Sequence, residues 1–543
     1  MNTRSPRARP VRPFGDGALV APTTSAAEAH GLARAVREQG VAGVDDVVVG
    51  HRSVTVIFDP GRSDMGAVAE AVAVALAHGV AAPGDGGAAT PAPVEMAVAF
   101  DGPDLDEVAA RADMTRGEVV AALTGVPLTV AMLGFLPGFA YLEGLVPALA
   151  AVPRRATPRT AVAPGSVGVA GGFAGIYPQA SPGGWQLVGR TARPLFDPTA
   201  PPYAVVHPGD RVQLRAVGHA GLPPLPGPRL PLRASGRRRV VVVSPGVLSM
   251  VQDRGRSGVA SVGVPRAGAA DPDGHRAANR LVGNDDDAAV IEVSAAGPSL
   301  RLECDAHAAV VGHAEVRVDG APVAPDAVVP LAAGQVLAVG TTGTDLRCSV
   351  ALSGGVDVPT LFGSRSSDTL TGLGTGPLRA GDALDLDLPR RPRGRLLRAG
   401  PGLAGARRLR VMAGPDDFPP EALDRLVQTA WSVGASSNRM GVRLDGPPLL
   451  TPGPVPSRAM VTGAVQVPPD GHPVVLGCDH ATVGGYPVIA AVILADHGVL
   501  GRCRPGDSLR FEVVDGAEAV RAREEAERRL GRAVVGWYPD RAG

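Results

Sequence analysis

Two stretches near the start of the chain have the apolar spacing of amphipathic helices, and short apolar runs that favour strands lie around them. The predicted elements are strand 18–21, helix 25–39, strands 46–49 and 54–58, helix 64–78 and strand 94–100. This βαββαβ order is typical of a ferredoxin-like sandwich, and Ser25 suits the N-cap of the first helix. We predict an N-terminal α/β domain over 14–92, with a Gly- and Ala-rich exit linker at 83–93.

After two short helical segments between 104 and 125, the helical period nearly disappears. From there the chain consists of short apolar runs separated by Gly- and Pro-containing turns, a pattern typical of β barrels or sandwiches. The predicted units are a β domain over 93–217, a linker at 218–238, a β domain over 239–388, a linker at 389–405, a β domain over 406–515 and a helix with a tail over 516–543. We expect the charged helix at 518–530 to lie on the solvated surface.

The first and third β domains share three short sequence cues in the same order. The pairs are PGSVGV (164–169) with TGAVQV (462–467), PGGWQLV (182–188) with TVGGYPVI (482–489), and PGDRVQL (208–214) with PGDSLRF (505–511). A weaker copy of the last cue, AGDALDL at 380–386, closes the middle domain. Ordered self-similarity of this kind indicates a repeated unit, so we predict three related β-barrel modules after the α/β domain, in a protein that is mainly β.

Charge and composition narrow the possible chemistry. The 543 residues carry 53 basic and 53 acidic side chains, and this net charge of zero offers no attraction to nucleic acid or to an acidic membrane. All the basic residues are arginines. Without lysine, the chain cannot contain a Walker A loop, a pyridoxal phosphate (PLP) Schiff base or covalent biotin.

The cysteines and histidines suggest no further site. The four cysteines have no CxxC spacing, and the eleven histidines are scattered, with none paired at ligand spacing. We therefore expect reduced thiols in a cytoplasmic protein and predict no metal site.

Aromatic residues make up only 3% of the chain but are concentrated in the run GFLPGFAYL at 134–142. The segment PRRATPR follows at 153–159, where prolines hold arginines on an extended path. An aromatic wall beside fixed guanidinium groups would suit a carboxylate or a phosphate; the candidates are Phe135, Tyr141, Arg154 and Arg159. Core aromatic residues beside surface arginines explain the spacing equally well.

Two acidic residues of the middle domain are candidates for acid–base chemistry. Asp271 follows the small residues of 268–270, which would let a ligand approach the backbone closely. Glu292 lies inside the apolar run VIEV at 290–293. Alternation along a strand predicts that this acid faces outward, whereas a raised pKa would indicate a functional carboxylate.

A further set of candidates could contact anions. Ser364 and Arg365 lie in a hydroxyl-rich turn that has the composition of an anion nest, or of an ordinary hydrogen-bonded turn. Arg439 and Arg443 are four residues apart, and Gln466 follows in a later strand.

The interior of a small barrel is filled by side chains, so we expect a ligand site in a crevice between modules. In that crevice, Arg154 and Arg159 of the first half would face Arg439 and Arg443 of the second half.

Longer motifs carry a resemblance to known families. The first half contains GFLPGFAYLEGL, APGSVGVAGGFAGIYPQASPGGWQLVGRT and PYAVVHPGDRVQL, and it resembles the allophanate hydrolase subunit 1 family, which includes the B subunit of 5-oxoprolinase. The second half contains GVLSMVQDRGRSG, AANRLVGND, GSRSSDTLTG, SNRMGVRL and VTGAVQVPPDGHPVVLGCD, and it resembles the allophanate hydrolase subunit 2 family, which includes the C subunit of 5-oxoprolinase. The two resemblances together cover roughly residues 14–515.

The resemblance implies a fused B and C component of a prokaryotic ATP-dependent 5-oxoprolinase, with cyclophilin-like barrels after an α/β domain. Such an enzyme opens 5-oxo-L-proline to L-glutamate with ATP hydrolysis, and Mg²⁺ enters with the nucleotide. It requires a separate A subunit, and a homo-oligomer is also compatible with the family. We expect the arginines named above to contact anions in this reaction, and Asp271 or Glu292 to transfer protons.

Two other functions stay open. The same modules form the carboxyltransferase region of urea carboxylase, in which biotin would be carried by another chain. They also resemble a non-catalytic regulator of a sporulation histidine kinase. The sequence departs from the family pattern at Leu123, Leu128, Asn438 and Val483, so another amide substrate is a further alternative.

Overall fold

A four-stranded antiparallel sheet and two helices form the first unit of the chain. The computed structural model describes residues 10–77, 91–218, 232, 236–394, 396–397 and 407–535. The first unit contains β1 (Arg12–Pro13), β2 (Ala18–Pro22), α1 (Ala26–Glu38), β3 (Val44–Gly50), β4 (Ser53–Phe58) and α2 (Met65–Ala77), with sheet order β1-β2-β4-β3. Ser25 caps α1 as predicted, because its side chain accepts a hydrogen bond from the Glu28 N–H.

The second unit is a barrel-like sheet. It contains β5 (Val94–Val98), α3 (Leu105–Ala112), α4 (Arg116–Thr124), β6 (Leu128–Leu133), β7 (Ala140–Glu143), α5 (Pro147–Ala150), β8 (Arg159–Val162), β9 (Ser166–Ala170), β10 (Phe173–Ile176), β11 (Ser181–Gly183), β12 (Gln186–Arg190) and β13 (Arg211–Ala216). Seven strands follow the order β12-β9-β10-β7-β6-β13-β5, and β8 pairs with β11. A bridge between Ala99 and Arg190, with both N–O distances at 2.9 Å, joins the two end strands.

The prediction that strand 94–100 completes the N-terminal sandwich was wrong. In the structure β5 pairs in parallel with β13, and β1 takes the fourth place in the N-terminal sheet. Met96 and Val98 of β5 are buried in the core of the barrel. A local apolar pattern predicts a strand but not its partner, because the partner lies far away in the sequence.

The middle unit has two sheets. It contains β14 (Arg239–Ser244), β15 (Leu248–Gln252), α6 (Pro272–Leu281), β16 (Val290–Ser294), β17 (Ser299–Leu302), β18 (Ala306–Val311), β19 (Ala314–Val318), β20 (Ala321–Val323), β21 (Val328–Leu331), β22 (Val336–Thr342), β23 (Arg347–Leu352), β24 (Val356–Asp357), β25 (Ala383–Leu386) and β26 (Leu396–Leu397). The orders are β20-β19-β22-β17-β14-β25-β24 and β15-β16-β23-β18-β21. The prediction of a barrel is therefore replaced here by a two-sheet arrangement.

The last β unit is a closed barrel. It contains β27 (Arg407–Ala413), α7 (Pro420–Gln428), β28 (Trp431–Val433), β29 (Gly441–Asp445), β30 (Arg458–Ala459), β31 (Ala464–Gln466), β32 (Val474–Leu476), β33 (Val483–Gly484), β34 (Val488–Val492), α8 (His497–Arg502) and β35 (Ser508–Val513). Its order is β27-β34-β31-β32-β29-β28-β35, and β30 pairs with β33. A 3₁₀ turn, Leu494–Asp496, leads into α8.

The two barrels have the same strand order, as the repeated sequence cues led us to expect. In each barrel the last strand pairs in parallel with the first. Gly209 and Gly506, with φ of +97° and +88°, occupy equivalent turns before these last strands. In the middle unit, the strand at the weaker third cue is β25, which pairs antiparallel with β14. The weaker cue therefore does not mark the same strand pairing as in the two barrels.

The units pack closely against one another. One face of the N-terminal sheet packs on α1 and α2, whereas Phe14, Ala18 and Val20 on the other side pack against the closed barrel.

The chain continues with α9 (Gly516–Ala533) and β36 (Val534–Val535), which pairs with β26. Among the helices in the described ranges, none is long and apolar enough to cross a membrane.

Candidate functional site

A cavity of about 370 Å³ lies where the N-terminal unit, the middle unit, the closed barrel and α9 meet. The lining residues used below are Asp16, Arg347, Arg439, Thr482, His497 and Arg523. The expected crevice between modules is therefore present, although Arg439 is the one of our four predicted arginines that lines it.

Four residues that line this cavity each have a buried polar atom without a hydrogen-bond partner among the described residues. They are Asp16 Oδ2, Thr482 Oγ1, Arg523 Nη1 and Arg347 Nε, the last of which lies 3.7 Å from Glu292 Oε1 as an ion pair. A buried polar group without a partner costs roughly 1–3 kcal/mol, and bound water or a polar ligand in the cavity would offset this cost. The set includes an acceptor, two donors and a hydroxyl group, which suits a ligand that both donates and accepts hydrogen bonds.

Asp16 lies in a glycine-flanked turn before β2. Gly15 has φ of +70°, and a Cβ built on it would lie 3.3 Å from the Ala491 Cβ, so a glycine suits this close approach. Asp16 Oδ1 accepts a hydrogen bond from the Leu494 N–H at 2.9 Å. Burial raises the pKa of Asp16, although this hydrogen bond opposes the effect.

His497 faces the same region from the start of α8. Its Nε2 lies 3.3 Å from the carbonyl oxygen of Val492. Burial lowers the pKa of His497, while the charge of Asp16 acts in the opposite direction. Burial thus favours the neutral form of both side chains, a carboxylic acid that can donate a proton and an imidazole that can accept one.

Arg439 is the centre of a buried ion-pair network. Its Nε and Nη2 donate to the two carboxylate oxygens of Asp479, each at 2.9 Å, and its Nη1 donates to Glu292. Nη2 also donates to the carbonyl oxygen of Gly268 at 2.7 Å. Although Arg439 lines the cavity, its hydrogen-bonding groups are largely occupied by the protein.

Glu292 does not face solvent, so the prediction from alternation was wrong. Its strand β16 lies between β15 and β23 and is buried on both faces. Glu292 Oε2 accepts a hydrogen bond from the Ala270 N–H at 2.6 Å, and Oε1 contacts Arg439. The carboxylate therefore connects two parts of the cavity wall, the Ala270 backbone and the Arg439 side chain.

Asp271 begins α6 and is held in place by two contacts. Its side chain accepts a hydrogen bond from the Gly274 N–H, and it pairs with Arg502 at 2.7 Å. The neighbouring Asp273 lines the cavity. Burial, followed by the charge of Asp271, raises the pKa of Asp273 to about 6. Asp271 thus caps a helix. Its carboxylate is already engaged by the Gly274 N–H and by Arg502, which does not support a role in proton transfer.

The turn predicted to be an anion nest surrounds a carboxylate of the protein itself. Asp253 accepts hydrogen bonds from the Ser364 and Ser366 hydroxyl groups at 2.6 and 2.5 Å, and from the Arg365 N–H at 2.6 Å. These bonds outweigh burial and lower the pKa of Asp253. The Arg365 side chain pairs with Asp357 instead, at 2.6 Å.

The aromatic run forms a buried cluster. The Phe139 ring lies at the centre of it, with ring centroids of Phe135, Tyr141, Tyr177 and Trp185 at 5.0–5.7 Å. Burial raises the pKa of Tyr141 well above its usual range. For Phe135 and Tyr141, the interpretation as packing residues fits the structure better than a ligand wall.

The first-half arginines do not line the cavity. Arg159 pairs with Asp104 at 2.7 Å, and Arg155 approaches the same carboxylate at 3.1 Å. Arg154 is exposed. The prediction that these arginines and Arg439 share one cleft was therefore wrong, since local spacing did not show which carboxylates they would meet.

The remaining candidates also lie outside the cavity wall. Arg443 is exposed on β29, so it does not converge with Arg439. Gln466 is buried on β31 and donates to the Met460 sulfur at 3.3 Å. Because Met460 lines the cavity, Gln466 lies one residue behind the wall.

The four departures from the family pattern lie in different environments. Leu123 and Leu128 are buried in the core of the first barrel. Val483 packs into the core shared by the N-terminal unit and that barrel, and Asn438 lines the cavity. Asn438 is therefore the departure that could contact a ligand.

The structure adds Asp16, His497 and Arg523 to the candidates. The glycines on either side of Asp16 could have identified it from the sequence, because small residues beside Asp271 were the reason for choosing that residue. His497 was set aside with the other scattered histidines, and Arg523 belongs to a helix that we expected to be solvated. Among the residues with described coordinates, no group of three or more His, Cys, Asp or Glu could hold a metal ion.

Comparisons with known proteins agree with the two-part organisation. Residues 10–206 match the family model "Carboxyltransferase domain, subdomain C and D", and residues 262–513 match "Carboxyltransferase domain, subdomain A and B". A crystal structure of the protein TTHA0988 is similar with a TM-score of 0.82 and 34% identity, covering 92% of this chain and 100% of that one.

Curated relatives match one part each. The chain is 34% identical to the 5-oxoprolinase C subunit of Escherichia coli K12, over 53% of this chain and 95% of the relative. It is 45% identical to the 5-oxoprolinase B subunit of Escherichia coli O157:H7, over 22% of this chain and 56% of the relative. It is also 30% identical to urea amidolyase of Saccharomyces cerevisiae, over 50% of this chain but 16% of the relative.

The C-subunit relative is covered almost completely, and the two family models lie one after the other along the sequence. The chain therefore belongs to the carboxyltransferase-domain family and unites in one polypeptide a region related to the B subunit of 5-oxoprolinase and a region related to its C subunit.

Proposed function

We propose that this chain is the fused B and C component of an ATP-dependent 5-oxoprolinase that works with a separate A subunit. The observation that carries the proposal is the cavity between the units. Its wall combines Asp16 from the region related to the B subunit with Arg347 and Thr482 from the region related to the C subunit. A site built in this way requires both regions, which explains why they occur as partners or as a fusion.

The polar groups of the cavity match the substrate. 5-Oxoproline presents a lactam N–H donor, a carbonyl oxygen and a carboxylate. Asp16 Oδ2 can accept the N–H, while the guanidinium groups and Thr482 can donate to the oxygens. The apolar part of the wall, which includes Phe14 and Val492, suits the ring carbons.

The reaction needs an activated amide. Transfer of the ATP γ-phosphoryl group to the lactam oxygen makes the ring carbon electrophilic and gives ADP. A first water adds to this carbon, the C–N bond breaks and the nitrogen takes a proton, which leaves γ-glutamyl phosphate. A second water releases phosphate and glutamate. Asp16 and His497 are our candidates for moving these protons, in place of Asp271 and Glu292.

A second cavity suggests a place for the nucleotide. It has a volume of about 530 Å³, belongs to the middle unit and shares Asp253 and Arg254 with the cavity described above. Arg254 is exposed, and no ion pair or hydrogen bond of its side chain is found among the described residues. We propose that Arg254 contacts the phosphates of ATP between the two cavities, with Mg²⁺ carried by the nucleotide.

The test is reconstitution. The purified chain and its A partner, given ATP and 5-oxoproline, should release glutamate and phosphate, and neither protein alone should do so. Absence of turnover with an A subunit that is active with other B and C subunits would reject the proposal.

Carboxyl transfer is the second candidate. The family description and the similarity to urea amidolyase favour it. Because the chain has no lysine, biotin would have to be carried by another protein. Exchange of a carboxyl group between carboxybiotin and urea, in the absence of ATP, would support this alternative, whereas ATP-dependent glutamate release supports the first.

A further inference from the structure

Helix α9 lies beyond the regions matched by the family models, yet it forms part of the cavity wall. The second of the two matches ends at residue 513, whereas α9 begins at Gly516. Asp515 caps the helix with a capping box that includes Glu518. The expectation that this helix is only a solvated surface element therefore needs correction.

One face of α9 is docked against three units. Ala519 and Ala522 are buried against Met412 and Ile493 of the closed barrel, and Met65 of the N-terminal unit packs against the same cluster. Glu527 pairs with Arg276 of the middle unit.

The ion pair fixes the helix firmly. Both oxygens of Glu527 accept from Arg276, at 2.5 and 2.8 Å, and Arg529 lies 3.7 Å from Asp273. A bidentate pair of this kind sets the orientation as well as the position of the helix. The residues between these anchors are therefore held against the cavity.

Arg523 is the cation that α9 brings to the cavity, and its Nη1 is buried without a hydrogen-bond partner among the described residues. Of the other arginines of the wall, Arg254 is exposed and Arg266 lies 3.9 Å from Asp45, while the remaining three are more fully engaged. Arg439 is held by Glu292 and Asp479, and Arg276 is held by Glu527. Arg347 Nη1 donates to a carbonyl oxygen.

Arg523 also lines the same cavity as the proposed acid–base group, Asp16. Its charge acts on Asp16, although the two side chains do not form an ion pair within 4.0 Å. A ligand between them would meet a donor on one side and an acceptor on the other.

We propose that Arg523 binds the carboxylate of the lactam substrate and makes the site selective for acidic lactams; this assignment rests on the function proposed above. It also gives α9 a role in specificity that the matched family regions do not provide. Loss of one hydrogen bond between charged groups should weaken binding of the acidic lactam about tenfold to a hundredfold.

The test compares Arg523→Gln with Arg528→Gln, which removes an exposed arginine of the same helix that lies 3.6 Å from Glu524. In the chain reconstituted with its A subunit, Arg523→Gln should raise the KM for 5-oxoproline about tenfold to a hundredfold and leave the KM for ATP unchanged. Arg528→Gln should change neither. Arg523→Lys, which keeps the charge, should recover part of the affinity.

A binding measurement separates recognition of the carboxylate from a general defect. Titration calorimetry on the chain should show that Arg523→Gln weakens 5-oxoproline but not 2-pyrrolidinone, the same ring without the carboxylate. An unchanged KM, or an equal loss for both ligands, would overturn the assignment while leaving the proposed function intact. A wild-type complex that neither binds nor hydrolyses 5-oxoproline would reject the function and this assignment together.

Discussion

Arg439 is surrounded by buried carboxylates, so its removal should destabilise the fold. Arg439→Ala leaves Asp479 buried without its cation and leaves Glu292 with only the longer contact to Arg347 at 3.7 Å, at a cost of about 3–5 kcal/mol in the free energy of unfolding. Arg443→Ala, an exposed arginine four residues later, should change this free energy by less than about 0.5 kcal/mol. Urea denaturation measures both. Similar small losses for the two variants would show that the network contributes little.

Asp16 should matter for turnover more than for stability. Asp16→Asn keeps the size of the side chain but removes its ability to transfer a proton. We expect kcat for 5-oxoproline to fall about a hundredfold or more, the usual range for a general acid or base. Asp106→Asn, an exposed carboxylate that does not line the cavity, serves as the control. A kcat within a factor of three of wild type for Asp16→Asn would exclude Asp16 from proton transfer.

Asp368 predicts a pH dependence of stability. Burial, followed by the charge of Asp479, raises the pKa of Asp368 to about 7 in the folded chain. The folded protein therefore holds this proton more tightly than the unfolded chain. The contribution of Asp368 to stability is complete below about pH 4 and is lost as the pH rises through 7.

Asp368→Asn cannot ionise, so it tests this sign directly. Between pH 5 and 8, the free energy of unfolding of the wild type should fall relative to that of Asp368→Asn. Urea denaturation at several pH values in this range gives the comparison. Parallel pH profiles for the two proteins would contradict the raised pKa.

At the scale of single residues, the sequence predicted which side chains bind anions better than it predicted which anions they bind. The hydroxyl-rich turn at Ser364 does bind an anion, but the anion is Asp253 of the same chain. Arg159 is likewise engaged by Asp104, which lies far from it in the sequence. Such pairings depend on the tertiary fold, and local spacing carries no information about them.

At the scale of elements, two glycines that lie in the repeated cues of the closed barrel have different surroundings. Gly463 has φ of +85°, and a Cβ built on it would lie 2.8 Å from His497 Nε2. Gly506 has φ of +88°, but a Cβ there would meet nothing within 4 Å. Both substitutions by alanine cost backbone strain of about 1 kcal/mol or more, whereas Gly463→Ala also displaces His497.

We therefore expect Gly463→Ala to lower kcat strongly and Gly506→Ala to leave it within a factor of two. Thermal unfolding should show a decrease in Tm for both variants, and a larger one for Gly463→Ala. Equal kcat values for the two variants would mean that the position of His497 is unimportant for turnover.

Local signals predicted several elements correctly. Ser25 caps α1 as predicted, and the two short helical segments expected between 104 and 125 are α3 and α4, the second of which begins with a capping box of Thr115 and Glu118. The repeated Gly-containing cues lie in equivalent turns of the two barrels, because a positive φ restricts the residue locally. The pairing of β5 could not be predicted in the same way, since parallel strands are joined by long connections.

At the scale of the whole molecule, the two family regions share an extensive apolar interface. Phe14, Ala18 and Val20 pack against the closed barrel, and Gly138 donates through its backbone to the carbonyl oxygen of Val262 at 3.0 Å. We predict that fragments 1–218 and 236–543 copurify when expressed together. Each fragment alone should show no calorimetric binding of 5-oxoproline, because the cavity needs both. Binding by the second fragment alone would contradict a site shared between the regions.

The central claim is that the lactam binds between the two regions, and a crystal structure of the chain with 5-oxoproline tests it most directly. We predict that the ligand occupies the cavity, with its N–H within hydrogen-bond distance of Asp16 and its carboxylate at Arg523. A ligand bound elsewhere, such as beside Arg154 or in the second cavity of the middle unit, would contradict the account.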